Sequence, residues 1–302
     1  MAQPFSYYER FVQKHLSQRI FVSMWNYVLD NEPVLWGENQ PRGFLKANFV
    51  LALYKDIKDI GYQKLLKSVT DLRFKLNHKS LQKNVERLRA VLANWAKRTI
   101  RLGAKTDWTA AARNVSLRSP VKDAVLWMDS KDFPVIGKRT VSRKGPNWSF
   151  KCNSPAQRFM FLRNGKGKVC QVWGGYSPKT FDGHWLRDHK EWLMENLDGA
   201  AVLADNHFMW GKKHLKNVTF HCNTATKACC REDEEEYIED PISKQKTTYN
   251  NAVKQGRARV ENTFGEMVQK FEALATPWKT KLIQQDHLVY MAIGVFNESR
   301  DS

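Results

Sequence analysis

The sequence predicts a mixed α/β domain preceded by an all-helical region. Two patterns indicate this fold class. Apolar residues recur every three or four positions between Lys46 and Leu102, which is the helical period. From residue 124 onward, short apolar or alternating runs are separated by Gly, Asn or Ser, as consecutive strands of one sheet are. A crossover helix, a further strand and two terminal helices follow, so we expect a sheet flanked by helices.

The amino-terminal residues divide into three predicted parts. Residues 1–45 are rich in aromatic side chains and are expected to form a small packing arm. Residues 46–105 contain three candidate helices, "ANFVLALYKDI", "YQKLLKSVTDLRF" and "HKSLQKNVERLRAVLANWAKRTI", and Asn77 is the expected N-cap of the third. Residues 106–123 combine small and polar side chains without a firm period and are predicted to be a linker.

The second and third candidate helices, separated by the short break "KLNH", have the helix-turn-helix arrangement. In that motif the later helix lies in the major groove of DNA. Residues 61–102 contain eleven basic and two acidic side chains, which favours DNA binding. A solvated helical bundle with a basic exterior is the alternative. The side chains expected to contact DNA are Lys79, Ser80, Gln82, Lys83 and Arg87.

The remaining residues, 124–302, are predicted to form the α/β domain. Strands are expected at 124–130, 147–153, 158–164, 168–175 and 200–205, with helices at 182–197, 248–273 and 279–297. The acidic segment 231–240, "REDEEEYIED", is predicted to be a solvated insertion.

The chain is strongly basic, with a formal charge of +18 and a pI near 9.7. Such a surface favours a polyanionic partner, and nucleic acid is the leading candidate. The sequence has neither an apolar run of about 18 residues nor a secretory type of start, so we expect no membrane insertion or export. The five cysteines suit neither a disulfide framework nor paired zinc knuckles, and ordinary reduced thiols are expected.

Two apolar runs end in a carboxylate, "AVLWMD" at Asp129 and "AAVLAD" at Asp205. A carboxylate at the end of a buried strand is held by packing, while its charge still reaches solvent or a metal. If the two strands are neighbours the carboxylates converge, and two-metal phosphodiester chemistry requires such a pair. The run "MDSKDF" also offers Asp132, but Asp129 is preferred because it directly ends the apolar strand.

A third carboxylate is expected from the segment "RARVENTFG". Glu261 borders the apolar stripe of a predicted helix, and Gly265 leaves space beside it for a metal ion and a phosphate. Arg257 and Arg259 flank Glu261 and are candidate DNA contacts. The alternative is an exposed ion pair between Glu261 and Arg257, one helical turn apart. The stripe consists of Tyr249, Val253, Gly256, Val260, Phe264, Val268 and Phe271.

Six motifs run in order through 124–298. They are "LWMDSKDFP" (126–134), "WSFKCNSPAQRFMFL" (148–162), "GGYSPKTFDGHWL" (174–186), "LADNHFMWGKKHL" (203–215), "RARVENTFGEMVQKFEAL" (257–274) and "HLVYMAIGVFNE" (287–298). Together they resemble the DDE transposases of the PIF/Harbinger type and the related bacterial insertion-sequence transposases. The likeness is specific in the order and context of the motifs.

The resemblance implies an RNase H-like catalytic domain after a helix-turn-helix region. It assigns the family's two aspartates and its glutamate to Asp129, Asp205 and Glu261, which would hold two Mg²⁺ or Mn²⁺ ions. The implied activity is cleavage of DNA at transposon ends and strand transfer to target DNA, by a homo-oligomer assembled on the DNA. A separate Myb-like DNA-binding protein is implied as a partner.

The basic run "GKRTVSRKG" (137–145) is either a nuclear signal or a loop that contacts DNA. Its basic side chains are Lys138, Arg139, Arg143 and Lys144. A nuclear location is expected if the source is eukaryotic, and a cytoplasmic one otherwise.

Three functions remain open from the sequence. The chain is an active transposase, or a domesticated descendant that binds or cuts DNA without transposition, or a basic DNA-binding protein whose carboxylates are structural. Metal-dependent cleavage of DNA separates the first two from the third. Terminal inverted repeats beside the coding region would separate the first from the second.

Overall fold

The computed structural model describes residues 2–31, 42–72, 76–116, 121, 124–136, 145–222, 241–278 and 282–301. None of the helices in these ranges combines the length and the apolar character that crossing a membrane requires. The described residues form a mixed α/β fold, in which helices surround a mixed sheet.

The region before the sheet is almost entirely helical, because its apolar residues recur with the helical period. A two-residue strand β1 pairs in parallel with β2, and Asn77 caps the last long helix by accepting a hydrogen bond from Ser80 N at 2.9 Å. This N-cap was predicted. The elements in chain order are β1 (Gln3–Pro4), α1 (Phe5–Leu16), α2 (Gln18–Asp30), α3 (Arg42–Lys58), α4 (Tyr62–Ser68), β2 (Val69–Thr70), α5 (His78–Lys97) and α6 (Lys105–Ser116).

In the described residues the sheet has six strands, of which four pair antiparallel and two extend the sheet in parallel. Its strands are β3 (Leu126–Pro134), β4 (Trp148–Ser149), β5 (Ser154–Asn164), β6 (Val169–Tyr176), β7 (Ala201–Leu203) and β8 (Thr219–His221). The long strand β5 pairs antiparallel with both β3 and β6, and the short strand β4 pairs with its beginning. On the other side of β3, strands β7 and β8 follow in parallel.

Helices cover both faces of this sheet. Between β6 and β7 lie α7 (Asp182–Asp188) and α8 (Lys190–Asn196), and between β7 and β8 lies α9 (Met209–His214). After β8 come α10 (Pro241–Lys270) and α11 (Leu282–Glu298). Side chains alternate along β3, so Trp127 packs on one face with α10 and α11, whereas Met128 packs on the other face with α7 to α9.

The amino-terminal helices share their core with the carboxyl-terminal ones. One apolar cluster extends from Val12 through Leu88 to Phe264 and Phe296. Helix α5 lies directly against α11, because a Cβ on Gly294 would stand 2.6 Å from Ala96 Cβ. Asn297 reinforces this contact by donating a hydrogen bond of 3.1 Å to the carbonyl of Thr99.

Several elements differ from the sequence prediction. The segment 106–123, expected to be a linker, contains most of helix α6. The strand expected at 147–153 is limited to Trp148–Ser149 and is followed by a turn. The helix expected at 182–197 is interrupted at His189, and β8 was not predicted. The connection from α4 to α5 includes β2 and is longer than the turn of about three or four residues in a helix-turn-helix.

Candidate active site

Asp129 lies in the middle of β3, not at its end. The strand continues to Pro134, with every residue from 126 to 134 paired to β5. The reason given for preferring Asp129, that it ends the strand, is therefore wrong. The apolar run stops at Asp129, but the backbone pairing does not.

Asp129 and Asp205 nevertheless occupy corresponding positions on neighbouring strands. In the parallel pair of β3 and β7, Trp127 is in register with Leu203. Asp129 and Asp205 are each two residues farther along, so both side chains belong to the face that packs against α10. The condition stated for convergence, that the two strands are neighbours, is met.

Asp205 is fixed by local hydrogen bonds just after β7. Its backbone carbonyl accepts from Phe208 N at 2.9 Å, which starts a single 3₁₀ turn, Asn206–Phe208. Its Oδ1 accepts from Asn206 N at 2.5 Å. The other oxygen, Oδ2, accepts a hydrogen bond of 3.1 Å from the guanidinium of Arg257 on helix α10.

Helix α10 passes close over the two strands because it has no side chain at Gly256. A Cβ at this position would stand 2.6 Å from Leu203 Cδ1 and 3.6 Å from Trp127 Nε1. The predicted stripe of this helix is buried at Val253, Phe264 and Phe271. This close approach brings Arg257 and Glu261 to the strand positions of the two aspartates.

The three predicted acids line one open pocket of about 570 Å³, which we call the carboxylate pocket. Their exposure differs: Asp129 is 7% exposed, whereas the side chain of Glu261 is 63% exposed. Gly265 leaves room as expected, since a Cβ there would meet no atom within 4 Å. The lining residues are Asp129, Ser130, Lys131, Lys151, Asp205, Arg257, Glu261, Phe264, Gly265 and Val268.

Arg257 connects two of the acids. Its Nη2 lies 3.1 Å from Asp205 Oδ2 and 3.9 Å from Glu261 Oε1. The ion pair between Glu261 and Arg257, which was the alternative interpretation from sequence, is thus present in the structure. It is part of a three-residue cluster with Asp205, however, and not an isolated surface pair.

The electrostatics of the pocket depend on the depth of Asp129. Burial raises the pKa of the Asp129 carboxyl from 3.8 to about 6, although the Arg257 guanidinium and a hydrogen bond from Ser130 N favour the charged form. That hydrogen bond, to Oδ1, is 2.8 Å long. A cation in the pocket would further favour the charged carboxylate.

Two buried polar atoms beside the pocket lack a partner within the described chain. They are Ser130 Oγ and Arg257 Nε. A buried polar atom without a hydrogen bond costs about 1–3 kcal/mol, so a bound ligand or water that satisfied these atoms would be stabilised. Arg257 therefore brings an unused N–H donor to the pocket, whereas Ser130 Oγ belongs to the opposite face of the sheet, because Ser130 directly follows Asp129 on β3.

Asp132 has a different role from Asp129. It is three residues farther along β3 and so belongs to the opposite face of the sheet. Arg158 binds both of its oxygens, with Nε 2.7 Å from Oδ1 and Nη2 3.0 Å from Oδ2. Ser149 Oγ donates to Oδ2 at 2.6 Å. Asp132 is the anion of a buried ion pair, and it does not line the carboxylate pocket.

Two lysines of the pocket were not proposed from the sequence. Lys131 is two residues after Asp129 on the same strand, so alternation along β3 could have identified it. Lys151 comes from the turn between β4 and β5, and no local pattern connects it with the acids. Both add positive charge to a pocket that otherwise has three carboxylates and the guanidinium of Arg257.

The proposed DNA-contacting side chains of α5 lie on its outer face. Lys79, Ser80, Lys83 and Arg87 are exposed, whereas Gln82 is half-buried and donates a hydrogen bond of 3.1 Å to Glu86. Helix α5 is held inward by Leu81, Val85 and Leu88. Arg89 is not part of the basic exterior, because it is buried in an ion pair with Asp56.

Other proposed contacts fall outside the described residues. These contacts are Lys138, Arg139, Arg143 and Lys144. The predicted acidic insertion 231–240 also lies outside the described residues. The side chain of Arg259 is also outside the described part, although its backbone belongs to α10.

Comparison of the chain with family models, with curated proteins and with solved structures found no match. The carboxylate pocket is therefore interpreted from its own geometry and chemistry.

The described residues contain no group of three His, Cys, Asp or Glu side chains close enough together to hold a metal ion. In the carboxylate pocket, a guanidinium takes the position between Asp205 and Glu261. The donor set is still chemically suited to Mg²⁺ or Mn²⁺, since it consists of carboxylate oxygens and contains no thiolate. The three acids fit such an ion because they have oxygen donors and line the same pocket. They are not already arranged around a single metal position.

Proposed function

We propose that this protein is a divalent-metal-dependent DNA endonuclease of the DDE transposase type, which cleaves DNA at transposon ends and joins the freed end to target DNA. The observation that carries the proposal is the shared pocket of Asp129, Asp205 and Glu261. These three acids were selected from sequence as one catalytic set, and they come from two strands and a helix that are distant in the chain.

The topology of the sheet supports an RNase H-like assignment. Three antiparallel strands, β6, β5 and β3, continue into two parallel strands, β7 and β8. The first aspartate lies on the central strand β3, and the second is two residues after the end of its parallel neighbour β7. The glutamate belongs to the helix after the last strand. This is the order of elements and acids that the resemblance implies for an RNase H-like domain.

Asp129, Asp205 and Glu261 would hold Mg²⁺ or Mn²⁺. When bound, such ions activate the attacking oxygen and stabilise the leaving one. Arg257 and the two lysines of the pocket would bind the phosphates on either side of the cleaved bond, because cations on strands and helices can neutralise a phosphodiester backbone. Phe264 and Val268 form the apolar side of the pocket.

The basic face of α5 would hold the DNA away from the site of cleavage. Its exposed lysines and Arg87 would contact phosphates and base edges, as a helix in a major groove does. Helices α5 and α11 pack in the same core, so DNA bound to α5 would be held in a fixed position relative to the catalytic sheet. Under this proposal the protein acts as a homo-oligomer on DNA with a Myb-like partner protein, in the nucleus of a eukaryotic host.

A plasmid assay tests the proposal. Full-length protein is incubated with supercoiled DNA in Mg²⁺, in Mn²⁺ and in EDTA, and nicked or linear products are measured. We expect product only with the metal ions, and none from the Asp205→Asn variant. Failure of the wild-type protein to cut plasmids or the inverted repeats of its own locus in either ion would contradict the proposal.

The second candidate is a domesticated transposase that binds or cuts DNA without transposition. It would share the fold and the carboxylate pocket. A strand-transfer assay distinguishes the two, because a nuclease without transposition yields cut DNA but no joined product.

A further inference from the structure

Two highly exposed phenylalanines lie next to residues of the carboxylate pocket. Phe150 is 77% exposed, and Phe181 is 50% exposed. Most side chains of this size are at least partly buried, so exposed aromatic rings close to a charged pocket indicate a contact surface. Phe150 directly precedes Lys151, which lines the pocket. The ring of Phe181 packs edge-on against His207 at a centroid distance of 5.4 Å, and His207 follows Asp205 by two residues.

The loops that carry the two rings are fixed to one buried ion pair. Ser149, which precedes Phe150, donates a hydrogen bond of 2.6 Å to Asp132. Arg158, the partner of Asp132, donates one of 3.1 Å to the carbonyl of Thr180, which precedes Phe181. The ion pair between Asp132 and Arg158 thus holds both loops at the same edge of the sheet.

Further contacts restrain the loops individually. In the first, Cys152 N donates to Ser149 Oγ at 3.2 Å. In the second loop, Gly183 packs closely against the ring of Phe181, since a Cβ at Gly183 would stand 3.2 Å from that ring. Exposed rings on restrained loops lose little conformational entropy when they bind a ligand.

We propose that Phe150 and Phe181 form a base-binding clamp at the rim of the carboxylate pocket, which stacks on an unpaired nucleotide of the strand to be cut. This inference rests on the proposed nuclease function and adds to it the form of the substrate, a single-stranded or locally unpaired segment. Nucleic acid is the occupant because Phe150 adjoins Lys151, which shares the carboxylate pocket with Lys131 and Arg257. The charge of these side chains suits phosphates, and aromatic faces stack with bases of any sequence.

The clamp explains why the buried ion pair lies on the face of the sheet opposite the carboxylates. Asp132 and Arg158 have no direct access to the pocket, but they set the positions of the loops on its rim. Phosphates would be held by Lys151 and Arg257, and the neighbouring base by the rings. Because different side chains contact the base and the phosphates, we expect that stacking and phosphate binding can be removed independently by mutation.

The test compares two single-stranded probes of equal length and charge. One is a fluorescein-labelled oligonucleotide of mixed sequence, and the other is its abasic counterpart, which keeps every phosphate and lacks the bases. Binding of the full chain is measured by fluorescence anisotropy in EDTA, so that no cleavage occurs. We expect wild-type protein to bind the base-containing strand about tenfold more tightly, since stacking on a single aromatic ring has roughly this effect.

Five variants test the proposal and supply its controls. Phe150→Ala and Phe181→Ala should each bring the ratio of the two affinities toward one, and Phe150→Trp should preserve it, which excludes unfolding as the cause. Lys151→Ala should weaken the binding of both probes by the same factor. Tyr7→Ala, which removes an exposed ring from α1, should leave both affinities unchanged.

The outcomes separate this inference from the proposed function. Equal binding of both probes by wild-type protein, or a ratio that both alanine variants retain, would overturn the clamp and leave the nuclease proposal standing. Protein that bound neither probe would also overturn the clamp, whereas the nuclease proposal is overturned only by failure in the plasmid assay. Dissociation of a dimer by Phe150→Ala without a change in the ratio would assign this ring to contact with a second copy of the chain, and would also overturn the clamp.

Discussion

Arg257 Nη2 donates a hydrogen bond of 3.1 Å to Asp205 Oδ2, so a cation of helix α10 neutralises a carboxylate at the end of strand β7. The same guanidinium lies 3.9 Å from Glu261 Oε1. Two of the three acids of the carboxylate pocket therefore share one organic cation. A divalent ion that bound these acids would compete with Arg257 for their oxygens.

This competition predicts that Arg257→Ala binds metal more tightly than wild type. Removing the cation leaves Asp205 and Glu261 with uncompensated charge, and a half-exposed ion pair of this kind is worth about 1 kcal/mol, or about fivefold in affinity. Isothermal titration with Mn²⁺ would measure the change. Arg257→Lys keeps the charge and should stay close to wild type. Weaker metal binding by Arg257→Ala would show that the arginine supports the ion and does not compete with it.

Asp129 predicts a specific dependence of stability on pH. Its carboxyl has a pKa of about 6 in the folded protein and 3.8 ordinarily, so the folded state retains the proton longer as the pH rises. Ionisation of Asp129 does not affect the free energy of unfolding below about pH 4. It lowers this free energy progressively as the pH rises to about 6, and the loss of stability above that pH is at most about 3 kcal/mol. Asp129→Asn lacks this penalty and should be more stable than wild type at neutral pH in EDTA.

Urea unfolding at several pH values measures the difference between wild type and Asp129→Asn. Asp132→Asn is the matched control on the same strand, and its effect should have the opposite sign. It removes the carboxylate that binds Arg158 through both oxygens and leaves that guanidinium, among the described residues, only its ion pair of 3.5 Å with Asp182, so the loss should approach the roughly 3–5 kcal/mol of a broken buried ion pair. A constant difference between wild type and Asp129→Asn across the pH range would show that Asp129 does not titrate as described.

Glu261→Gln predicts a loss of cleavage with DNA binding intact. The change preserves the size of the side chain and the helix, but it removes the negative charge required of a metal ligand. Cleavage in Mg²⁺ should fall by several orders of magnitude in the plasmid assay. Glu266→Gln changes the same residue type on the same helix, where the side chain accepts a hydrogen bond from Arg300, and should remain active. Equal activity of wild type and Glu261→Gln would reject the three-acid mechanism.

The basic face of α5 predicts a change in the salt dependence of DNA binding. Each phosphate contact that is removed should lower the slope of log K against log salt by about 0.9. Lys79→Ala and Lys83→Ala change exposed side chains, so folding should be unaffected. The full chain is required, because α5 shares its core with α11. Lys190→Ala, on α8 beyond the sheet, is the control. An unchanged slope in the double variant Lys79→Ala/Lys83→Ala would remove α5 from the DNA interface.

The acids could be chosen from the sequence because their signals are local. An apolar run followed by a carboxylate identifies Asp129 and Asp205, and the helical stripe identifies the helix of Glu261. The sequence could not reveal that β3 continues past Asp129. The next three residues are polar, and the last of them, Asp132, is buried in an ion pair with Arg158 of the adjacent strand. An ion pair between two strands produces no periodic pattern in the sequence of either strand, so it cannot be recognised from one segment.

The elements that were missed are short or polar. Strand β8 has three residues, which are too few to show alternation. Helix α6, in "TDWTAAARN", lacks a continuous apolar stripe, although its alanines have high helix propensity. Lys151 enters the carboxylate pocket through the fold of the β4–β5 turn, which depends on contacts between distant residues. The positions of Arg257 and Glu261 over the strands depend likewise on the close packing at Gly256.

The two glycines of α10 provide a test in which stability and activity change in opposite directions. Gly265 is exposed, and a Cβ there would meet no atom within 4 Å, so Gly265→Ala should stabilise the helix by about 1 kcal/mol. Gly265→Phe should also fold, but its ring would extend into the carboxylate pocket and should abolish cleavage while binding by α5 persists. Gly256→Ala should instead destabilise the protein, because its Cβ would stand 2.6 Å from Leu203 Cδ1. Thermal unfolding and the plasmid assay on the three variants measure both effects. Full activity of a folded Gly265→Phe protein would show that the carboxylate pocket is not where DNA is cut.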